Sequence, residues 1–376
     1  MVDRKAHFRV ENYYQEVNNM ISIKSFTPDE INISSDEIRA LKNVKFYDPK
    51  SEPFRIYGLH EPLSDSPYHR IPTDVAEATS AGVAGLNYQT AGGRVRFVTT
   101  SNYIAIKVFN PSSAVMTNMC LIGSSGFDIY VNRNGRDTFA AVLRMPGSYK
   151  ETFEALAWLP SGRKEITLNF PLYCGVQKFY IGLDSESTLE RRDDYRFEKP
   201  VLFYGSSITQ GGCASRPGMS YEGLISRRFD TNFINLGFSG CAKGEDAIAN
   251  YMATLDFSVF VCDYDHNAPN VEHLNNTHEK LYKTIRAAHP DVPVIFVGKP
   301  DCNPFSDEIA NRRDVIYTTY HNAKTRGEKV IFIDGYSLFA GELREECTVD
   351  GCHPNDLGMS RMADVIGKAV DFALTW

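Results

Sequence analysis

From Val201 onward the sequence alternates short apolar runs with longer amphipathic stretches, and this alternation restricts the fold more than any other feature. The apolar runs are Val201–Tyr204, Asn232–Leu236, Phe257–Asp263, Val292–Val297 and Val330–Ile333. Runs of this length suit parallel strands that are buried on both faces. The amphipathic stretches are Met219–Phe229, Asp246–Leu255, Glu272–His289, Asp307–Thr325 and Asn355–Leu374. Five strand–helix units predict an α/β fold with a doubly wound parallel sheet of flavodoxin-like type.

The preceding half of the chain has a different pattern, with short alternating segments between Lys45 and Leu183. These segments include Tyr103–Phe109, Phe127–Val131, Thr138–Arg144 and Glu165–Phe170. Turn signals separate them, and the pair Asn134-Gly135 favours a tight hairpin. Many short strands at nearly even spacing predict an all-β sandwich or jelly roll.

The segment Asp184–Pro200 is dense in charge and poor in aliphatic residues, which is typical of a connection between domains. We therefore expect an N-terminal β-sandwich domain with a leader over residues 1–190 and a second domain over residues 198–376. For the leader we expect a strand or helix packed on a neighbour, or an arm to another subunit. The outward strands of the sandwich and this leader are the elements through which we expect a homo-oligomer to form.

Composition limits the partners and the compartment. Acidic side chains number 47 and basic ones 40, and the net charge of −7 argues against nucleic acid or an anionic membrane as the main partner. The N-terminal residues lack the apolar segment of a secretory signal, and no apolar run is long enough to span a bilayer. The eight cysteines form no CxxC pair, so a disulfide framework is not expected. These features predict a cytoplasmic protein.

A turn with two serines follows the first apolar run, in the segment GSSIT at 205–209. A strand-to-helix turn at the carboxyl edge of a sheet exposes a hydroxyl to the crevice and supplies backbone N–H groups. Ser207 is therefore a candidate nucleophile whose own N–H can also stabilise an oxyanion. Taken alone, the segment is better explained as a serine-rich turn that caps a helix.

An aspartate and a histidine lie three residues apart in the segment DGCHPN at 350–355, before the last amphipathic stretch. The intervening glycine lets the chain turn, so that the Asp350 carboxylate can orient the His353 imidazole and stabilise its protonated form. The alternative is a histidine that caps a turn near a helix start.

Two more polar segments, NLGFSG at 235–240 and DYDHN at 263–267, follow the second and third apolar runs. The first has small residues that let the backbone approach a ligand, and the second supplies a side-chain amide. Each alone is more typical of a turn. Because the carboxyl ends of parallel strands meet at one edge of a sheet, the four segments together predict a single site.

The four segments resemble the conserved blocks of the SGNH (GDSL-type) hydrolases. The resemblance implies Ser207 as nucleophile, His353 as base and Asp350 as the acid that orients it. It implies an oxyanion hole formed by the N–H of Ser207, the N–H of Gly240 and the amide of Asn267. Two departures are a serine where an aspartate usually precedes the nucleophile, and an Asp-x-x-x-Asn form in place of Gly-x-Asn-Asp.

The N-terminal half resembles the GxDLY domain that precedes this hydrolase type in two-domain esterases. The segment GFDIY at 126–130 matches its signature, with isoleucine in place of leucine. The resemblance covers most of the chain after about residue 46.

The resemblance implies removal of acetyl groups from carbohydrates, such as xylo- or manno-oligosaccharides, with no metal or organic cofactor. Tyr264, His266 and Arg216 are the side chains that we expect to contact this substrate. A lipid or thioester hydrolase and an acyltransferase with the same triad are open alternatives. A carbohydrate-binding protein with an inactive site is the alternative outside the enzymes.

Overall fold

The computed structural model describes residues 23–110, 113–147, 149–300 and 306–376. Most of the leader, up to residue 22, lies outside these residues, and so does the strand, helix or arm that we expect there. Three sheets organise the described residues, two of them antiparallel and one parallel.

The two antiparallel sheets make up the N-terminal sandwich. Its strands are β1 (Ser25–Phe26), β2 (Val44–Tyr47), β3 (Arg55–Tyr57), β4 (Arg94–Thr99), β5 (Tyr103–Phe109), β6 (Phe127–Arg133), β7 (Arg136–Leu143), β8 (Thr152–Trp158), β9 (Lys164–Asn169), β10 (Lys178–Asp184) and β11 (Leu189–Glu190). One sheet has the order β1-β2-β10-β5-β8, and the other has the order β11-β4-β9-β6-β7 with β3 paired to β4. Apolar side chains of both sheets, including Phe97, Ile106, Phe127 and Phe179, pack into one core.

The predicted hairpin is present between β6 and β7. Asn134 and Gly135 form its two-residue turn with φ of 55° and 80°, and Arg133 pairs with Arg136 on either side of it. Positive φ at both central positions is the geometry that suits the twist of paired strands.

The N-terminal half also contains helices that its alternating pattern does not predict. They are α1 (Asp36–Arg39), α2 (Thr73–Thr79), α3 (Ala81–Leu86) and α4 (Leu121–Ser125). Ala76 of α2 and Val83 of α3 are buried in the same apolar cluster as Leu236 and Ile248 of the C-terminal half. The segment around α2 and α3 therefore covers one face of the parallel sheet.

The C-terminal half forms the predicted α/β fold. Its parallel strands are β12 (Phe197–Gly205), β13 (Thr231–Gly237), β14 (Val259–Asp263), β15 (Val294–Val297) and β16 (Val330–Ile333), in the order β13-β12-β14-β15-β16. The helices are α5 (Ser207–Gln210), α6 (Tyr221–Phe229), α7 (Asp246–Thr254), α8 (Val271–Ala288), α9 (Asp307–Thr325) and α10 (Asp356–Leu374). The strand order reverses at β12, and loops at the carboxyl ends on either side of such a reversal border a crevice.

Alternate residues of each central strand enter two separate cores. Phe203 and Val261 pack with α6 and α10 on one face, whereas Leu202 and Phe260 pack with α7, α8 and α9 on the other. Burial on both faces explains why these strands appear as continuous apolar runs in the sequence. The predicted fold class is confirmed for both halves.

The charged segment at 184–200 is docked on the sandwich. β11 pairs with β4, and the guanidinium of the buried Arg192 donates two hydrogen bonds to Asp137, over 2.6 and 3.1 Å. Among the described residues, every helix is too short or too polar to pass through a lipid bilayer.

Candidate active site

The side chains of Ser207, His353 and Asp350 form a hydrogen-bonded chain at the carboxyl edge of the parallel sheet. Ser207 Oγ lies 2.9 Å from His353 Nε2, although the two residues are 146 positions apart. His353 Nδ1 lies 2.8 Å from Asp350 Oδ2. In this geometry Nδ1 donates to the carboxylate, so that Nε2 is left to accept the serine proton. The arrangement can therefore activate the Ser207 hydroxyl for nucleophilic attack.

The turn that presents Ser207 is fixed by its neighbours. The Ser206 hydroxyl caps α5 by accepting the N–H of Ile208 over 3.2 Å. A Cβ at position 205 would lie only 1.7 Å from Asp263 Oδ1, so Gly205 leaves room for the Asp263 carboxylate. Ser207 is the first residue of α5, and the N–H of a first helical residue has no partner within its helix.

Asp263 lies beneath this turn and holds it from inside the protein. Its carboxylate accepts hydrogen bonds from the hydroxyls of Thr209 and Tyr221, the latter over 3.0 Å. Burial raises the pKa of Asp263 to about 7. Sequence reasoning gave this residue no role, because its burial below the nucleophile depends on the packing of β12 against β14.

The Asp350–His353 loop is held by its own backbone. Asp350 Oδ1 accepts the N–H groups of Cys352 and His353 over 3.1 and 2.8 Å, and Gly351 between them has a φ of 81°. Burial opposes ionisation, but the hydrogen bonds from His353, Asn118 and Cys352 outweigh it and hold the pKa of Asp350 well below its usual range. The carboxylate that faces the imidazole is therefore charged at neutral pH.

The other two expected oxyanion donors, Gly240 and Asn267, lie on two loops that are hydrogen-bonded to each other and to the nucleophile turn. The Phe238 N–H donates to the carbonyl of Gly205, and the Phe238 carbonyl accepts from the Asn267 amide, each over 2.9 Å. An amide carries two N–H groups, so Asn267 retains one for another acceptor. Gly240 has a φ of 70°, and open space surrounds the position of an added Cβ. Room for a ligand thus exists beside the Gly240 backbone.

His266, one of the expected substrate contacts, is a nearly buried side chain next to Asn267 in the sequence. Its side chain is 9% exposed, and its Nδ1 lies 3.4 Å from Asp265 Oδ1. Within the described residues, its Nε2 has no hydrogen-bond partner. Burial lowers the pKa of His266, and the charge of nearby His353 acts in the same direction. A neutral ring with Nδ1–H directed at Asp265 leaves Nε2 as an acceptor.

Tyr264 and Arg216 are not placed as expected. Tyr264 is 1% exposed, and its hydroxyl is 2.8 Å from Thr277 Oγ1 in the core, so its ring does not border the crevice. Arg216 lies at the junction of the two halves, where its guanidinium packs 4.2 Å from the Phe139 ring and its Nε is 3.6 Å from Asp128 Oδ2. Both side chains are engaged within the protein.

Asp128, the acidic residue of the GFDIY segment, joins the sandwich to the C-terminal half. It is fully buried and accepts the Gly218 N–H over 2.9 Å and the Asn169 amide over 2.8 Å. A second hydrogen bond between the two halves comes from the Gln210 side chain of α5, which donates to the Leu172 carbonyl over 3.1 Å. The sandwich therefore reaches the helix that begins with the candidate nucleophile.

Comparison with known proteins agrees with this architecture. Residues 198–371 match the model of the GDSL-like lipase/acylhydrolase family, and residues 44–189 match the model for the N-terminus of SGNH-hydrolase-type esterases, called GxDLY. No curated protein matches the chain significantly.

Several solved structures share the fold. A protein from Bacteroides ovatus described as a GDSL-like lipase is 28% identical, with a TM-score of 0.79 over 89% of this chain and 98% of its own. The salicylyl-acyltransferase SsfX3 of a tetracycline biosynthetic pathway is 18% identical, with a TM-score of 0.71 over the same shares. The acetyl xylan esterase Est2A from Butyrivibrio proteoclasticus is 13% identical, with a TM-score of 0.57 over 89% of this chain and all of its own.

The two family matches together take in most of the chain, and they fall on the sandwich and on the parallel sheet that the structure separates. The C-terminal half therefore belongs to the GDSL-like lipase/acylhydrolase family, and the N-terminal half is the GxDLY domain found at the N-terminus of SGNH-type esterases.

Proposed function

We propose that the protein is a serine esterase that removes acetyl groups from acetylated carbohydrates, such as xylo- or manno-oligosaccharides, through an acyl-enzyme. The observation that carries the proposal is the 2.9 Å distance between Ser207 Oγ and His353 Nε2, with Asp350 on the far side of the same imidazole. A hydroxyl, an imidazole and a carboxylate in this order are the parts of a serine hydrolase triad.

In the first half of the reaction, Ser207 Oγ attacks the ester carbonyl while His353 Nε2 takes its proton. The charge that develops on the carbonyl oxygen is stabilised by the N–H groups of Ser207 and Gly240 and by the amide of Asn267. The bond to the sugar oxygen then breaks, and His353 returns the proton to the leaving alkoxide. Asp350 stabilises the imidazolium throughout.

In the second half, His353 removes a proton from water, and the resulting hydroxide attacks the acetyl carbon on Ser207. The acyl–oxygen bond breaks, the proton passes to Ser207 Oγ, and acetic acid leaves and loses its proton to solvent. Each step needs only groups of this chain and one water molecule.

His266 supports a carbohydrate as the alcohol part of the ester. Its Nε2 is a nearly buried acceptor without a partner among the described residues, and the adjacent residue, Asn267, is an expected oxyanion donor. A buried acceptor of this kind favours a substrate with a free hydroxyl close to the ester. Acetylated sugars have that arrangement, and the fold shared with an acetyl xylan esterase agrees with it.

The test is a panel of acetylated xylo- and manno-oligosaccharides together with p-nitrophenyl esters of increasing chain length. We expect acetate release from the sugars and the highest kcat/KM at acetyl among the synthetic esters. Ser207→Ala is expected to remove most turnover with an unchanged circular dichroism spectrum. Near-normal hydrolysis by Ser207→Ala, or a maximum at long acyl chains, would contradict the proposal.

An acyltransferase is a second candidate, because the salicylyl-acyltransferase has the same fold over 89% of this chain. The two functions share the acyl-enzyme and differ in whether water or an alcohol resolves it. Product analysis by mass spectrometry in the presence of an alcohol acceptor separates them. Transfer that outpaces acetate release would favour the acyltransferase.

A further inference from the structure

Among the described residues, the Asp350 carboxylate accepts four hydrogen bonds, and only one of them comes from outside its own loop. Oδ1 accepts the backbone N–H groups of Cys352 and His353, and Oδ2 accepts His353 Nδ1 over 2.8 Å. The fourth donor is the amide of Asn118, whose Nδ2 lies 3.0 Å from Oδ2. Asn118 precedes Asp350 by 232 positions and belongs to the GxDLY domain.

Asn118 lies on a segment that is anchored to both halves of the protein. The Ala114 N–H donates to Ser125 Oγ over 2.9 Å, and the Ser124 hydroxyl donates to the Ala114 carbonyl over 2.7 Å. Met119, the next residue after Asn118, is buried in an apolar cluster of the C-terminal half. These contacts hold the chain four residues before Asn118 and one residue after it.

The Asp350 carboxylate is partly exposed, so a donor from outside its loop limits its motion further. Its side chain is 32% exposed, and the next residue is a glycine in the left-handed region. The two backbone N–H groups hold Oδ1, whereas the donors to Oδ2, the atom that faces the imidazole, are Asn118 and His353 itself. A hydrogen bond to a charged acceptor is directional and strong, so the amide restricts rotation of the carboxylate.

We propose that Asn118 is a positioning residue for the active site, through which the GxDLY domain holds Asp350 in the orientation that His353 requires. This inference rests on the proposed function for its effect on activity. Asn118 acts through Asp350 and not on the reacting atoms. Its removal should therefore lower kcat and leave KM nearly unchanged.

The ionisation of Asp350 adds a readout that a purely structural role of Asn118 would not change. Among the described residues, the titratable groups beside Asp350 include His353, Cys352 and Cys213, and burial raises the pKa of Cys213 to about 12, so its thiol stays neutral. The Asn118 amide is one of the donors that lower the pKa of Asp350. Without this amide, Asp350 takes up its proton at a higher pH.

The experiment compares the full-length wild type with Asn118→Ala and Asn118→Gln, using p-nitrophenyl acetate. We expect Asn118→Ala to lower kcat about tenfold with KM unchanged within about twofold. Asn118→Gln keeps an amide donor and should recover part of the loss.

The matched control is Asn322→Ala, which removes another amide-to-carboxylate hydrogen bond, from Asn322 Nδ2 to Glu279 Oε2 over 3.1 Å, between α9 and α8. It should lower the melting temperature slightly and leave kcat unchanged. The proposal would be overturned if Asn118→Ala had the kcat of the wild type, or if Asn322→Ala reproduced the loss of kcat.

A second measurement separates this inference from the proposed function. Carboxyl ¹³C NMR of selectively labelled protein follows the ionisation of Asp350 without any substrate, with the signal assigned from Asp350→Asn. Titration at higher pH in Asn118→Ala than in the wild type supports the contact even if no ester is hydrolysed. Unchanged titration contradicts the inference even if the protein is an esterase.

Discussion

The hydroxyl of Tyr173, from the GxDLY domain, donates a hydrogen bond over 3.0 Å to the backbone carbonyl of Ser207. Tyr173 is 6% exposed, and burial holds the pKa of its hydroxyl well above its usual value, so it remains a donor. The same carbonyl also accepts the N–H of Gly212 over 2.9 Å. The start of α5 is therefore fixed by a residue of the sandwich as well as by its own turn.

Replacing Tyr173 with Phe should weaken this support without removing it, because the Gly212 N–H remains. We expect the free energy of unfolding to fall by about 1 kcal/mol, the usual worth of one neutral hydrogen bond. We expect kcat to fall a few-fold as the turn loosens. Urea unfolding and p-nitrophenyl acetate hydrolysis measure the two effects.

Tyr282→Phe is the control, because its hydroxyl bonds Arg286 and Glu328 within the C-terminal half. It should change stability but leave kcat alone. An unchanged kcat in Tyr173→Phe would mean that the sandwich does not support the nucleophile turn.

Two measurements distinguish a role of Asn267 as an oxyanion donor from a role in holding its loop through Phe238. Asn267→Ala removes both the spare N–H and the bond to the Phe238 carbonyl. Loss of one oxyanion donor costs about 3 kcal/mol in transition-state stabilisation, so kcat should fall by about two orders of magnitude. KM should change little, because the donor acts mainly when the oxyanion forms.

Steady-state kinetics with p-nitrophenyl acetate provide this measurement, and thermal unfolding shows whether the loop survives. A fall in stability with kcat intact would assign Asn267 to the loop alone.

Asp263 predicts a pH dependence of stability. Its pKa is about 7 in the folded protein and about 3.9 when unfolded, so the folded state binds the extra proton between these values. Its contribution to stability is therefore present below about pH 4 and is lost as the pH rises through about 7. Asp263→Asn cannot ionise and should lack this loss.

Urea unfolding at pH 5 and at pH 7.5 measures this loss of stability. The wild type should lose on the order of 2 kcal/mol more than Asp263→Asn between these two pH values. The same pH dependence in both proteins would contradict the assignment of the titration to Asp263.

The sequence predicted those parts of the molecule that depend on local periodicity. β5, β16 and α9 coincide with their predicted ranges, because unbroken apolar or amphipathic runs determine them. The convergence of Ser207 and His353 was also predictable, since parallel strands bring their carboxyl ends to one edge.

The site features that the sequence did not predict depend on how the two halves pack against each other. Asn118 and Tyr173 lie in the sandwich sequence, where nothing local distinguishes a polar side chain that reaches the other half from one that faces solvent. Tyr264 shows the reverse case. It stands next to the site in sequence but turns into the core, where His278 stacks on its ring.

The assigned roles of the site residues, the domain limits, the cytoplasmic location and the homo-oligomer stay predictions. The roles depend first on the reactivity of a single hydroxyl, which a fluorophosphonate probe measures without knowledge of the substrate.

The most direct test is therefore to label the wild type, Ser207→Ala and His353→Ala with the probe and to map the modified peptide by mass spectrometry. The account predicts one phosphonyl group per chain on Ser207, none in Ser207→Ala, and labelling slowed by at least about a hundredfold in His353→Ala. Unmodified wild type, or a label on another residue, would contradict the claim that Ser207 is the nucleophile.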